Sequence, residues 1–147
     1  MAQLSGKVLK TVFIGLFFLT GISGCKDEYV SVIPYTPVYL DINLANRTEL
    51  IPVGGYFKVN GGYGGIIIYH DGADSSQPFF AFDATCTYEI SAKCSVETDG
   101  SGVAICPCCG TQYMLVFGYG SPQKGLATEP LKQYKVTYSN GRLIIKN

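Results

Sequence analysis

Apolar and polar residues alternate over short stretches of this chain, and glycine-rich turns separate the stretches. Every second residue from Val38 to Leu44 is apolar, which is the period of two of a half-buried strand. Further strands are predicted at 56–59, 65–69, 79–82, 103–105, 113–117, 134–138 and 143–145. Asn140-Gly141 predicts a tight hairpin between the last two, since both residues tolerate a positive φ. Several short strands separated by turns predict an all-β fold, a small antiparallel sandwich or barrel.

The amino-acid composition favours strands and argues against one class of binding partner. The 147 residues include 18 Gly, 11 Tyr and 8 Phe, a usage that favours strands and turns over helices. The formal net charge is zero and no basic cluster is present, which argues against nucleic acid as a partner.

The first 24 residues have the pattern of a secretory signal. Lys7 and Lys10 give a positive start, residues 8–19 are mainly apolar, and small residues precede Cys25. The sequence Ile-Ser-Gly-Cys at 22–25 resembles a lipobox, which implies cleavage before Cys25 and acylation of that residue. The alternative is a plain secreted protein in which Cys25 is incidental.

This pattern predicts three parts: a lipoprotein signal peptide at 1–24, a lipidated tether at 25–37 and a β domain at 38–147. Acylated Cys25 would hold the protein on a lipid bilayer in the cell envelope, as an outer-membrane lipoprotein. Lys-Asp-Glu at 26–28 resembles a signal that some Gram-negative lineages use to export lipoproteins to the cell surface. The other interpretation is that these charges keep the tether solvated.

Five cysteines remain besides Cys25, and all of them lie between positions 86 and 109. They are Cys86, Cys94, Cys106, Cys108 and Cys109. Their clustering in two predicted loops that flank a hairpin suggests one site rather than several separate disulfides.

These residues resemble the Rieske iron–sulfur family. The segment 78–86 is similar to the family's strand that enters the first cluster loop, and Cys-Pro-Cys-Cys-Gly-Thr at 106–111 is similar to its second cluster loop. The likeness extends over roughly residues 40–147. It implies a small Rieske-like antiparallel β barrel or sandwich with a two-loop cysteine subdomain, and electron transfer as an activity.

Both cluster histidines of that family are absent. A Rieske cluster is held by Cys-x-His in one loop and Cys-x-x-His in the other, so that two imidazoles bind one iron. Tyr88 stands at the first histidine position and Cys109 at the second. The one histidine of the chain, His70, precedes both loops, and a solvated turn is the role expected for it.

Two hypotheses for the site follow. In the first, Cys86, Cys94, Cys106 and Cys109 bind zinc or an all-cysteine [2Fe–2S] cluster, since four thiolates suit either group. In the second, the thiols pair as disulfides, and the domain is a cofactor-free interaction module on the cell envelope. The family resemblance implies Cys94 with Cys108 as the pair. Cys86, Cys106 and Cys109 would then remain, either as a three-sulfur metal site completed by Tyr88 or water, or with two of them paired.

The sequence predicts no enzyme. With a single histidine, no phosphate-binding loop and no paired carboxylates, it lacks the usual catalytic groups. A thioredoxin-like Cys-x-x-Cys requires a helix N-terminus or a positive neighbour, and neither is predicted beside Cys106 and Cys109. The expected partners are therefore the bilayer and an unidentified electron-transfer or binding partner in the envelope.

Overall fold

The computed structural model describes residues 30–72, 74 and 76–147, so the signal peptide and Cys25 lie outside the described residues. The described chain is all-β, as predicted, and its helical segments are 3-10 turns of three residues. None of these segments is long and apolar enough to cross a membrane. The strands are β1 (Tyr39–Asn43), β2 (Tyr56–Val59), β3 (Ile66–His70), β4 (Phe79–Asp83), β5 (Glu97–Thr98), β6 (Val103–Ile105), β7 (Gln112–Met114), β8 (Ser121–Lys124), β9 (Gln133–Ser139) and β10 (Arg142–Lys146).

The strands form two antiparallel sheets. The larger has the order β1-β10-β9-β4-β3-β2, and the smaller has the order β5-β6-β7-β8. Strands β9 and β10 form the predicted hairpin, with Asn140 and Gly141 both at positive φ. Strand β4 lies in the middle of the larger sheet and leads directly into the first cysteine loop.

Strand β3 is buried on both faces, which explains its unbroken apolar sequence. Ile66 and Ile68 pack into one core between the larger sheet and the N-terminal segments. Ile67 and Tyr69 pack into a second core that also holds residues of β6, β7 and the cysteine loops. Two of the sulfurs, those of Cys86 and Cys106, belong to this second core, so the site is continuous with the domain interior.

The structure differs from the predicted strands in three places. The sequence pattern does not indicate β5, which has only two residues, or β8, which contains Pro122 and begins directly after Gly120. The predicted strand at 113–117 ends at Met114 instead. The chain forms a 3-10 turn at Val116–Gly118, where Phe117 has a left-handed φ of 57°.

The segment expected to be a tether is docked on the domain from Ile33 onward. The Ile33 side chain is 2% exposed. The Asn147 side chain accepts a hydrogen bond from the Val38 N–H at 3.0 Å and donates one to the Thr36 carbonyl at 2.7 Å. Lys132 donates to the Pro34 carbonyl at 3.3 Å. The β domain predicted to begin at residue 38 therefore extends at least to Ile33.

A buried carboxylate joins the turn before β3 to the end of β4. Asp83 is fully buried and accepts hydrogen bonds from the backbone N–H groups of Tyr63, Gly64 and Thr85, at 2.7, 3.2 and 3.0 Å. It also accepts from the hydroxyls of Thr85 and Tyr134. Because Asp83 ends β4, these contacts fix the point from which the first cysteine loop departs.

Candidate metal centre

Two backbone loops carry the five cysteines. In the first, the Cys86 N–H donates to the Cys94 carbonyl at 2.9 Å, so the two ends of the loop lie side by side. In the second, the Cys106 N–H donates to the Thr111 carbonyl and the Gly110 N–H donates to the Cys106 carbonyl, both at 2.8 Å. Gly110 has a φ of 71°, a left-handed conformation that closes this tight turn and favours glycine.

A disulfide between Cys94 and Cys108 joins the two loops, with the Cα atoms 6.3 Å apart. This is the pair that the family resemblance implies. The predicted four-thiolate set included Cys94, whose sulfur is bonded to Cys108 here. The structure thus brings together three of its four members as free thiols, namely Cys86, Cys106 and Cys109.

The three free sulfurs converge on one point. All three Sγ atoms lie within 4.8 Å of one another, and those of Cys86 and Cys109 are 3.6 Å apart. A tetrahedral ion with metal–sulfur bonds of about 2.3 Å places its sulfur ligands about 3.8 Å apart. The spacing therefore suits a single metal ion with three sulfur ligands after small side-chain adjustments.

Two residues that no sequence motif marks as part of the site contact these sulfurs. The Tyr113 hydroxyl lies 3.4 Å from the Cys86 Sγ, and the Thr111 Oγ1 lies 3.1 Å from the Cys109 Sγ. The Thr111 Oγ1 accepts from the Cys109 thiol and from the backbone N–H groups of Leu126 and Ala127. Once Cys109 is ionised, the Thr111 hydroxyl can donate its own proton to that sulfur. Alternation along the second loop and β7 offers a sequence signal, because positions 111 and 113 share the face of the site.

The protein environment shifts the pKa values of the Cys106 and Cys109 thiols in opposite directions. Burial raises the pKa of Cys106 to about 11, although the backbone N–H groups of Cys109 and Cys108 oppose that shift. Burial also acts to raise the pKa of Cys109, but hydrogen bonds from Thr111 and from the two neighbouring thiols lower it overall. Cys109 is therefore the more readily ionised of the two, and ionised thiols are the ones that bind metals.

The sulfurs face a small pocket of about 80 Å³. All five cysteines line it together with Tyr88, Glu89 and Ala92. The Tyr88 side chain is half exposed at the rim. Three thiolates with an opening toward a phenol, a carboxylate and water can hold one metal ion and leave a fourth position for an oxygen ligand.

These residues do not fit a histidine-ligated iron–sulfur cluster. His70 lies at the end of β3, where its Nδ1 is 3.0 Å from the Pro52 carbonyl oxygen and its ring stacks on Phe79. An all-cysteine [2Fe–2S] cluster needs four thiolates, and the described residues provide three at this site while the disulfide is intact.

The fold itself is that of Rieske proteins. The cyanobacterial plasma membrane Rieske protein PetC3 from Synechocystis PCC 6803 superimposes with a TM-score of 0.52 and 26% identity, covering 63% of this chain and 87% of its own. A chain from the complex of reduced oxygenase and oxidized ferredoxin in carbazole 1,9a-dioxygenase gives 0.54 and 26%, covering 74% and 93%.

A third structure shows the same fold at lower identity. The ferredoxin of carbazole 1,9a-dioxygenase from Nocardioides aromaticivorans IC177 gives a TM-score of 0.50 at 15% identity, covering 76% of this chain and 97% of its own. No family model matches the sequence, and no curated protein matches it either. The resemblance to the Rieske family is confirmed at the level of the domain by these structural neighbours, and the chain carries a Rieske-like domain.

Proposed function

We propose that this protein is a membrane-anchored, Rieske-like lipoprotein whose cysteine site binds a single metal ion, zinc in the first instance, and that it is not an enzyme. The convergence of the Cys86, Cys106 and Cys109 sulfurs within 4.8 Å carries the proposal. The ligand set differs from the predicted one by the loss of Cys94 to the disulfide.

The local contacts support metal binding over inert burial of the thiols. Backbone N–H groups of the second loop face the Cys106 sulfur, and the Thr111 hydroxyl can donate to the Cys109 sulfur once that is ionised, so the charge of bound thiolates is stabilised. Hydrogen bonds of this kind orient metal ligands and tune their basicity. Zinc suits the site because it accepts three sulfurs and one oxygen in a tetrahedron without requiring a second metal.

The membrane location is proposed from the sequence. The Ile-Ser-Gly-Cys motif at 22–25 supports acylation of Cys25, which lies outside the described residues. One structural neighbour is a plasma membrane Rieske protein, a likeness compatible with a place in the cell envelope. The outer membrane is the location that the sequence favours, and the Lys-Asp-Glu segment at 26–28 is compatible with either face of it.

Metal analysis tests the proposal. The full-length chain is purified in detergent, without oxygen or added metal, and assayed for zinc, iron and sulfide together with its absorption spectrum. We expect about one zinc per chain and no visible band. Cys109→Ser should lose the metal because it removes one of three sulfur ligands, whereas the matched Cys94→Ser/Cys108→Ser double variant should keep it. Retention of metal by Cys109→Ser contradicts this ligand set.

Iron with sulfide and a visible band would replace the zinc proposal with an all-cysteine iron–sulfur site and make the protein an electron carrier. All-thiolate ligation should then give a lower potential than a histidine-ligated cluster has.

A second candidate function is a cofactor-free interaction module on the Rieske-like fold. The observation in its favour is the Cys94–Cys108 disulfide, which ties the loops together without any metal. This function predicts that a reductant lowers the stability of the purified protein and that a chelator does not. The metal-binding proposal predicts that a chelator alone lowers it.

A further inference from the structure

Two groups of three sulfurs meet at Cys106. Its Sγ lies within 4.8 Å of those of Cys86 and Cys109, and it also lies within 4.8 Å of those of Cys94 and Cys108. The first group consists of free thiols, and the second contains the disulfide. All five residues line the same pocket. The disulfide is thus adjacent to the thiols that we assign to the metal.

We propose that the Cys94–Cys108 disulfide is a redox switch on the metal site, which has three thiolate ligands while the disulfide is intact and gains Cys94 as a fourth when it is reduced. This inference rests on the proposed function, because it concerns the regulation of the same site. Three thiolates leave an open coordination position, whereas four make the closed tetrahedron of a structural zinc site. Reduction would therefore convert an exchangeable metal into a firmly held one.

The contacts favour Cys94 over Cys108 as the added ligand. The Cys94 carbonyl accepts the Cys86 N–H, and an adjacent bridge pairs Thr85 with Ser95, so Cys94 is held beside a ligand. Its side chain is half-buried in the pocket, whereas that of Cys108 is exposed. Cys108 also lies inside the tight turn between Cys106 and Cys109.

The exposure of Cys108 also determines which sulfur of the disulfide an external thiol attacks. A thiolate of an external dithiol attacks the exposed Cys108 sulfur, the Cys94–Cys108 bond breaks, and Cys94 leaves as a thiolate. The second thiol of the reductant then attacks the mixed disulfide and releases Cys108. Two electrons pass to the protein, and the dithiol becomes a disulfide. Of its two protons, one ends on Cys108 and one goes to solvent when Cys94 binds the metal.

The test counts the sulfur ligands in the two redox states. Full-length zinc-loaded protein is examined as purified, and again after treatment with dithiothreitol and its removal without oxygen. X-ray absorption at the zinc edge gives the number of sulfur ligands, and chelator competition gives the affinity. We expect three sulfurs before reduction and four afterwards. The affinity should rise at least about tenfold, since even changes outside the ligand shell alter metal affinity by about 10–100-fold.

A matched pair of variants makes the assignment specific. Cys108→Ser frees Cys94 permanently and should show four sulfurs without any reductant. Cys94→Ser frees Cys108 instead and should show three sulfurs in both conditions, as should the Cys94→Ser/Cys108→Ser double variant. Because Cys108→Ser bypasses reduction, the inference is tested even where dithiothreitol does not reach the disulfide. Circular dichroism checks that each variant is folded.

The outcomes separate this inference from the proposed function. Three sulfurs in wild type before and after reduction, with three in Cys108→Ser, would leave the metal site standing and overturn the switch. Four sulfurs in Cys94→Ser would overturn Cys94 as the added ligand. A failure of oxidised and reduced wild type alike to bind zinc would overturn both proposals together.

Discussion

Replacing Asp83 with asparagine should lower the stability of this domain strongly, although it hardly changes the shape of the side chain. Asp83→Asn keeps the volume of the side chain and replaces one carboxylate oxygen with an NH₂ group. The Oδ2 atom accepts from the Tyr63 N–H and the Tyr134 hydroxyl, both at 2.7 Å. The Oδ1 atom accepts from the Gly64 N–H at 3.2 Å and from both the N–H and the hydroxyl of Thr85.

An asparagine cannot accept all five of these bonds. With its amide oxygen at the Oδ1 position, its NH₂ group faces the Tyr63 N–H, and a buried donor without an acceptor costs about 1–3 kcal/mol. The Tyr134 hydroxyl can rotate to accept from the NH₂ group. The hydrogen bonds that remain are weaker because their acceptor is no longer charged. Removing a buried charge is itself favourable and restores part of the lost stability. The net destabilisation should be about 2–4 kcal/mol.

Urea unfolding, followed by tyrosine fluorescence with the disulfide intact, measures this cost. With a slope of about 2 kcal/mol per molar urea, the middle of the usual range, we expect the midpoint to fall by about 1–2 M. Asp41→Asn is the matched control, since Asp41 pairs with Arg142 at 2.8 Å on the surface, where such pairs are worth less than about 1 kcal/mol. Equal midpoints for the two variants would refute the assignment of Asp83 as a structural centre.

Two further predictions concern pH and the second cysteine loop. Burial raises the pKa of Tyr113, Tyr134 and Cys106, the last to about 11, so the folded metal-free protein keeps protons that the unfolded chain releases. The free energy of unfolding should therefore fall as the pH rises from about 9 to 11, by up to about 1.4 kcal/mol per pH unit for each group. Urea titrations at several pH values measure this decrease, which should be smaller in Tyr134→Phe because that variant lacks one of the groups. Gly110→Ala and Gly141→Ala should each cost about 1–2 kcal/mol, because φ is 71° and 73° and no atom lies within 4 Å of an added Cβ. Zinc affinity, measured by chelator competition, should fall in Gly110→Ala and stay unchanged in Gly141→Ala; equal effects would contradict a metal site in that loop.

The sequence predicts those strands in which the pattern of apolar residues follows directly from burial on one or both faces. Alternation located β1, and an unbroken apolar run located β3, which is buried on both faces. Strands β5 and β8 carry no such pattern, because they are short and owe their place to neighbours in the smaller sheet. The 3-10 turn at Val116–Gly118 interrupts a sequence of strong strand formers, and it depends on the positive φ of Phe117, which no local preference indicates.

The residues of the cysteine site could be predicted from the sequence, but which sulfurs lie together and what they contact could not. The spacing of the cysteines indicated one site in two loops, and the resemblance supplied the Cys94–Cys108 pair. Which three sulfurs converge depends on how β4 and the β6–β7 hairpin pack across the second core, a long-range property. The roles of Thr111 and Tyr113 depend on the same packing, because each contacts its sulfur only when both loops are in place.

The docked segment before β1 limits how far the domain can travel. Seven residues lie between Cys25 and Ile33, and the eight residue steps from one to the other span at most about 28 Å in an extended chain. With the proposed acyl anchor on Cys25, the domain would stay within about that distance of the lipid surface and diffuse along it in two dimensions. A partner that exchanges metal, electrons or thiols with such an anchored domain would have to meet it at the membrane surface, either as another envelope protein or as a molecule small enough to diffuse there.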